Sequence, residues 1–130
     1  EISCRGKQVL LVEDNELNLE IAVELLKYAG LNITTAKNGL EGLDKFKAAP
    51  PGTYALILMD IQMPVMNGLE AAKAIRALPV KDAQTVPIVA MTANAFPEDI
   101  AATLQAGMNE HLSKPIDLEQ FHSILQKWCQ

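Results

Sequence analysis

Apolar runs of strand length recur along this chain of 130 residues, and between successive runs lie stretches whose apolar residues repeat at helical spacing. That alternation leaves few folds open. Strands that take turns with helices are joined by crossovers rather than by tight turns, so they pair in parallel, and the helices cover both faces of the sheet. "QVLLV" (Gln8 to Val12) predicts a first strand, and Leu17, Ile21, Leu25 and Ala29 predict a helix that Gly30 stops. "LNITTA" (Leu31 to Ala36) is short and β-branched, as a second strand should be. Asn38, with Glu41 three residues on, predicts a capping box opening a helix through Leu40, Leu43 and Phe46, which "APPG" ends. Leu56 to Met59 predicts the third strand, with a helix around Leu69, Ala72 and Ile75 after it and "VPIVAM" (Val86 to Met91) as the fourth. Pro97, Glu98 and Asp99 suit a first helical turn, predicting a helix through Ile100 and Leu104 that closes at Gly107. "EHLS" supplies a fifth strand. Asp117 with Gln120 predicts the cap of a last helix carrying Leu118, Phe121, Ile124, Leu125 and Trp128. Five strands and five helices are therefore expected.

The length fits one domain. Residues 1–7, "EISCRGK", have neither an initiator Met nor a signal-like apolar stretch and read as the remnant of a linker, with the domain over 8–130, so the chain reads as a piece of something longer. A net charge of -5 argues against nucleic acid as a direct partner. Nor does any apolar stretch reach the roughly 20 residues that a membrane span needs, so no membrane contact is expected of this segment. Cys4 and Cys129 stand near opposite ends without metal-like spacing, which favours free thiols in a reducing compartment.

The strand ends carry the chemistry. In a doubly wound sheet of order 2-1-3-4-5, ligands bind beyond the carboxyl ends of the strands, between strands 1 and 3. Strand 1 runs into Glu13 and Asp14, and strand 3 runs into Asp60. Three carboxylates in one concavity raise one another's pKa values unless a cation intervenes. A tight set of hard oxygen ligands without Cys or His suits Mg²⁺, which often shares its shell with a phosphoryl group. Strand 4 delivers the hydroxyl of Thr92, and the segment after strand 5 delivers Lys114, followed by Pro115. Together these groups make a receptacle for a phosphoryl group.

Here the sequence resembles a known family. "LLVEDN", "ILMDIQMPVMNG", "MTAN" and "LSKPID", with Glu13, Asp14, Asp60, Thr92 and Lys114 at their strand ends, look like the receiver domain of two-component response regulators. The wording is most similar to receivers fused to hybrid sensor histidine kinases, and the likeness runs from about Gln8 to Trp128. It implies a flavodoxin-like doubly wound (βα)5 fold with strand order 2-1-3-4-5. It further implies that Asp60 is the phosphoacceptor, taking a phosphoryl group from a phosphohistidine of a histidine kinase core or histidine phosphotransfer domain. Asp14 and Asp60, with the backbone carbonyl of Gln62, would ligate Mg²⁺, and Glu13 would act through a coordinated water. Lys114 would pair with Asp60 and then with a phosphoryl oxygen, aimed by a cis bond at Pro115. Thr92 would swing to the phosphoryl group, and His111, where many members carry Tyr or Phe, would fill the vacated space or simply face solvent. Gln62 and Asn94 occupy positions that tune hydrolysis of the acyl phosphate. The domain would assist its own phosphotransfer and dephosphorylation, in the cytoplasm, as part of a parent that can be anchored in the inner membrane. The face built by the helix from Pro97, "EHLS" and the last helix is expected to switch, and the first helix to dock a phosphohistidine bundle.

Three rivals differ in what they require. A docking module that works without phosphorylation would tolerate loss of an acid from the cluster, and none is lost. A flavodoxin-like cofactor binder wants a Gly-, Ser- or Thr-rich loop after strand 1, where this chain has "EDNELN", whose charge repels a bare phosphate. An aspartate-based phosphatase typically has a second aspartate two residues on, where Gln62 stands. "MPVM" has two readings, with Met63 and Met66 either as core fillers or as an adaptable partner surface beside the site.

Overall fold

The structure, a computed structural model, describes residues 6–93, 96–114 and 116–128. The described strands are β1 (Gln8–Val12), β2 (Asn32–Ala36), β3 (Tyr54–Asp60), β4 (Ile88–Thr92) and β5 (Glu110–Ser113). The helices are α1 (Glu16–Tyr28), α2 (Gly39–Ala48), α3 (Gly68–Arg76), α4 (Lys81–Thr85), α5 (Pro97–Gln105) and α6 (Leu118–Trp128). The strands form one sheet in the order β2-β1-β3-β4-β5. Every neighbouring pair is parallel. The alternation predicts such a parallel sheet, and its order is that of the flavodoxin-like doubly wound fold that the resemblance implies.

Val9 to Val12 and Leu56 to Met59 are all completely buried. Their unbroken apolar runs fit this position, because a central strand is covered on both faces and has no solvent side to serve. Each such side chain contributes about 1.5–3 kcal/mol on leaving water, before the entropy of ordering is charged against it. On one face Ala22 and Leu26 of α1 and Phe121, Ile124 and Leu125 of α6 close the core; on the other, Phe46 of α2, Ala72 and Ile75 of α3 and Ala83 of α4 do so.

α1 forms where the apolar spacing predicts it and is closed by Ala29 before Gly30, but only part of that apolar set faces the core. Leu17 and Ile21 are 66% and 46% exposed, while Ala22 and Leu26 are buried. At about 100° per residue, Leu17 lies opposite Leu26 on the helix, so a four-residue spacing begins off the buried face and turns onto it at Leu25 and Ala29. Among the described residues the expected five helices become six, because α4 has five residues and buries Ala83 alone, too little for a periodic signal. Strand ends also move. β4 starts at Ile88 rather than Val86, whose N–H instead donates to Asp82 in closing α4, and it runs on to include Thr92. β3 runs on through Asp60.

Asn38 caps α2 by accepting from the Glu41 N–H at 2.8 Å. A reciprocal capping box forms at α3, between Asn67 and Glu70, for which "NGLE" was the legible signal. "EHLS" is a strand, and Asp117 accepts from the Gln120 N–H as expected. Met63 and Met66 are half-buried and pack against the α2 and α3 side of the core. Gly6 and Lys7 hydrogen-bond the chain around Gly30 and Asn32. Among the described residues no helix is long and apolar enough to cross a membrane. Cys4, Cys129, Asn94 and Pro115 lie outside the described residues.

Candidate functional site

β1 and β3 are neighbours, with Val12 beside Met59, so the next residues, Glu13 and Asp60, reach the sheet edge side by side. Glu13 is 1% exposed and Asp60 is 4% exposed. One oxygen each from Glu13, Asp14 and Asp60 lies within 4.8 Å of the others. These acids line a concavity of about 200 Å³, together with Asn15, Asn18, Gln62, Thr92 and Lys114.

Lys114 arrives from the far edge of the sheet. Its backbone N–H donates to the Thr92 carbonyl at 2.9 Å, which extends the β4–β5 ladder by one bond. Its Nζ then stands 2.9 Å from Glu13 Oε1 and 3.0 Å from Asp60 Oδ1. The ion pair to Asp60 was expected; the one to Glu13 was not, since the sequence says nothing of how two adjacent strand ends share one ammonium. The other Glu13 oxygen accepts the Asn15 N–H at 3.1 Å. Asn15 in turn caps α1, accepting from Asn18 at 2.9 Å. Sequence reasoning passed over Asn15, although an Asn just before a helical run is a recognisable cap.

Electrostatics single out Asp60. Burial raises its pKa to about 7, the neighbouring Glu13 adds to the rise, and Lys114 opposes both. For Lys114 burial disfavours the charge, yet Glu13 and Asp60 outweigh it and hold the ammonium above its ordinary value. A protonated Asp60 would weaken the pair that lifts Lys114. Glu13 shares the same ammonium at 2.9 Å, so Lys114 does not depend on Asp60 alone. One ammonium faces three carboxylates here. That excess of hard anionic oxygen fits a small divalent cation, and Mg²⁺ in particular.

The loop after Asp60 is held close. Gly68 donates to the Ile61 carbonyl at 2.8 Å. A Cβ on Gly68 would strike the Asp60 carbonyl oxygen, so only glycine lets α3 start this near the strand end. In the same loop Val65 has φ 70, a left-handed conformation that a β-branched residue seldom adopts.

Thr92 ends β4, and His111 sits half-buried on β5 with Ala90 as its register partner. Both line a second cavity of about 60 Å³, with Ile61, Leu69, Asp99 and Thr103. His111 thus borders an interior space beside Thr92. His122 stands on α6, far along the sequence from the acidic cluster.

The model of the response regulator receiver domain matches residues 9–126. The chain belongs to that family. As a receiver domain it is similar to part of the peroxide stress-activated histidine kinase mak1 of Schizosaccharomyces pombe, with 38% identity over 92% of this chain and 7% of that protein. It is likewise similar to the sensor protein GacS of Pseudomonas syringae, with 37% identity over 98% of this chain and 14% of that protein. The chain therefore spans a small fraction of these relatives. Among solved structures, the receiver domain of the sensor histidine kinase PA1611 of Pseudomonas aeruginosa has a TM-score of 0.85 and 37% identity, over 95% of this chain and 98% of that one; it holds a magnesium ion in its active-site cleft. The receiver domain of Ssk1 of Saccharomyces cerevisiae, crystallised with the histidine phosphotransfer protein Ypd1, has a TM-score of 0.85 and 34% identity, over 96% of this chain and 90% of that one.

Proposed function

We propose that Asp60 is the phosphoacceptor of this receiver domain and that Lys114 and Thr92 attend the transfer. The observation that carries this reading is the Asp60 carboxylate itself, buried at the end of β3 with an ammonium at 3.0 Å and two further carboxylates close by. Burial and the neighbouring Glu13 disfavour the charge on Asp60 more than Lys114 favours it, the kind of perturbed carboxyl that collects at functional sites. Glu13, Asp14, Asp60 and the backbone carbonyl of Gln62 would hold Mg²⁺, which supplies charge neutralisation for the equatorial phosphoryl oxygens. Asp60 must first shed its proton. Its oxygen then attacks phosphorus, the N–P bond of a partner's phosphohistidine breaks, and the imidazole nitrogen keeps the electron pair. Lys114, freed from Asp60, donates to a phosphoryl oxygen while still tied to Glu13. Thr92 donates its hydroxyl to another, and His111 turns into the cavity beside it.

The partner would be a histidine kinase core or a histidine phosphotransfer protein, consistent with the kinase relatives and with the Ypd1 complex of a similar receiver. The exposed Leu17 and Ile21 of α1 support docking there, next to a small cavity lined by Glu13, Asn18, Ile21, Lys114 and Ile116. The parent chain would be a hybrid sensor histidine kinase with this domain in the cytoplasm, residues 1–7 acting as its linker, no nucleic acid contact and no membrane contact by this segment. The face of α5, β5 and α6 would carry the switch.

The test is the intact mass of the protein after incubation with acetyl phosphate and Mg²⁺. A phosphoryl adduct should form, vanish with chelator and vanish in Asp60→Asn. An adduct that persists on Asp60→Asn sinks the assignment.

A further inference from the structure

Arg76, the last residue of α3, spends its donors on neutral oxygens. Nε donates to the Gly107 carbonyl at 2.9 Å, Nη1 to the Ala83 carbonyl at 3.1 Å and Nη2 to Asn109 Oδ1 at 2.9 Å. Burial lowers its pKa. A cation partly withdrawn from water and aimed at carbonyls costs desolvation, so its position asks for an explanation beyond charge pairing.

Asn109 is the centre of this arrangement. Its Oδ1 also accepts from the Ile88 N–H at 2.9 Å, and its own N–H donates to the Ile88 carbonyl at 2.8 Å. One residue thereby meets both backbone groups of the first residue of β4. The β4–β5 ladder begins at the next position, Val89 beside Glu110, and runs to Thr92 beside Ser113. Gly107 lets the guanidinium stem lie on the turn, for its φ is +97° and a Cβ there would meet Arg76 Cγ at 2.8 Å.

β5 needs such help. It is an edge strand of four residues, and Leu112 is its one fully buried side chain. A strand gets its register from burying one face, and a slip of one residue turns every side chain over. With a single apolar anchor that preference is weak, yet Lys114, the next residue after the strand, must reach Asp60.

We propose that Arg76 and Asn109 form a clamp that sets the register of β5 and thereby brings Lys114 to Asp60. They are positioning residues, acting from the opposite end of the strand, roughly 16 Å away at about 3.3 Å per residue. Their effect on transfer rests on the phosphoacceptor reading above; their effect on β5 does not.

Three variants test the clamp. Arg76→Met removes the donors, Asn109→Leu removes the acceptor at similar size, and Asn109→Asp keeps an oxygen for both donors. In Arg76→Met and Asn109→Leu, amide exchange from Glu110 to Lys114 should quicken about tenfold with β1 and β3 unchanged, as for a local opening. Phosphorylation by acetyl phosphate should slow about tenfold while Mg²⁺ still binds, since a small misplacement of Lys114 is enough. Asn109→Asp should restore both rates. Wild-type exchange in β5 of Arg76→Met, exchange raised equally in β1 and β3, or an Asn109→Asp as impaired as Asn109→Leu overturns the proposal. A wild-type protein that takes no phosphoryl group overturns the phosphoacceptor reading instead, and the exchange pattern then decides the clamp alone.

Discussion

β3 lies inside the sheet, is seven residues long and buries all of them except Ala55; β5 lies at the edge, is four residues long and buries Leu112 alone. Both deliver a residue to the same concavity. Asp60 comes on a strand that the hydrophobic effect holds from both sides, with neighbours to pair on either edge. Lys114 comes on a strand held by polar contacts at its ends and along its flank: Asn109 at the start, ion pairs to Glu13 and Asp60 at the finish, and Glu110 accepting from Lys127 at 3.0 Å and from the Trp128 indole at 3.2 Å. The buried carboxylate of the site is therefore mounted on the core, and the ammonium paired with it is mounted on the periphery. A domain that must keep one group fixed while its surface responds has reason to divide them so.

The contrast can be broken at either strand. Ile57→Ala should cost about 3 kcal/mol in urea unfolding, because it opens a cavity in a strand covered on both faces. Ser113→Ala, on β5, should shift stability by less than about 0.5 kcal/mol. Equal losses at the two sites would show that both strands belong to one core. Lys114→Met should leave the fold and Mg²⁺ binding in place while slowing phosphorylation about hundredfold, the scale for a lost donor to developing oxyanion charge. A rate within twofold of wild type would remove Lys114 from the transfer.

The buried Asp60 predicts the pH response. Its pKa stands near 7 in the folded protein, against an ordinary 3.8. Between those values the unfolded chain has released the proton that the folded one retains, so metal-free stability should fall as pH rises through this window. Asp60→Asn should abolish that decline, which thermal unfolding between pH 5 and 8 would read. Mg²⁺ must displace the same proton, so its affinity should drop about tenfold per unit as pH falls below 7, measured by calorimetry. The smallest effect concerns the loop after β3. Val65→Asn should stabilise the protein by about 0.5 kcal/mol in urea unfolding, since Asn tolerates the left-handed region better than a β-branched residue.

Much of the site was readable because its acids stand directly after apolar runs. Glu13, Asp14 and Asp60 could be placed at strand ends from the local pattern, and strand order then made them neighbours. Thr92 was legible for the same reason, although β4 proved to begin two residues later than its apolar run suggests. The local pattern placed α1 but not its buried face, because a repeat of four residues turns about 40° per step around the helix and meets the core only at Leu25 and Ala29. Arg76 and Asn109 could not be read as partners, since 33 residues separate them and each alone resembles an ordinary surface residue.

By itself, the order of residues determined the alternation of strands and helices, the parallel sheet and the three acids at its strand ends, because each follows from local periodicity and from where a buried run stops. The tertiary structure alone decided that Lys114 bridges Glu13 as well as Asp60, that Leu17 and Ile21 face outward, and that an arginine on α3 braces the turn into β5. Those features depend on distances between segments remote in sequence. Polar contacts of that kind carry no period for a sequence to display.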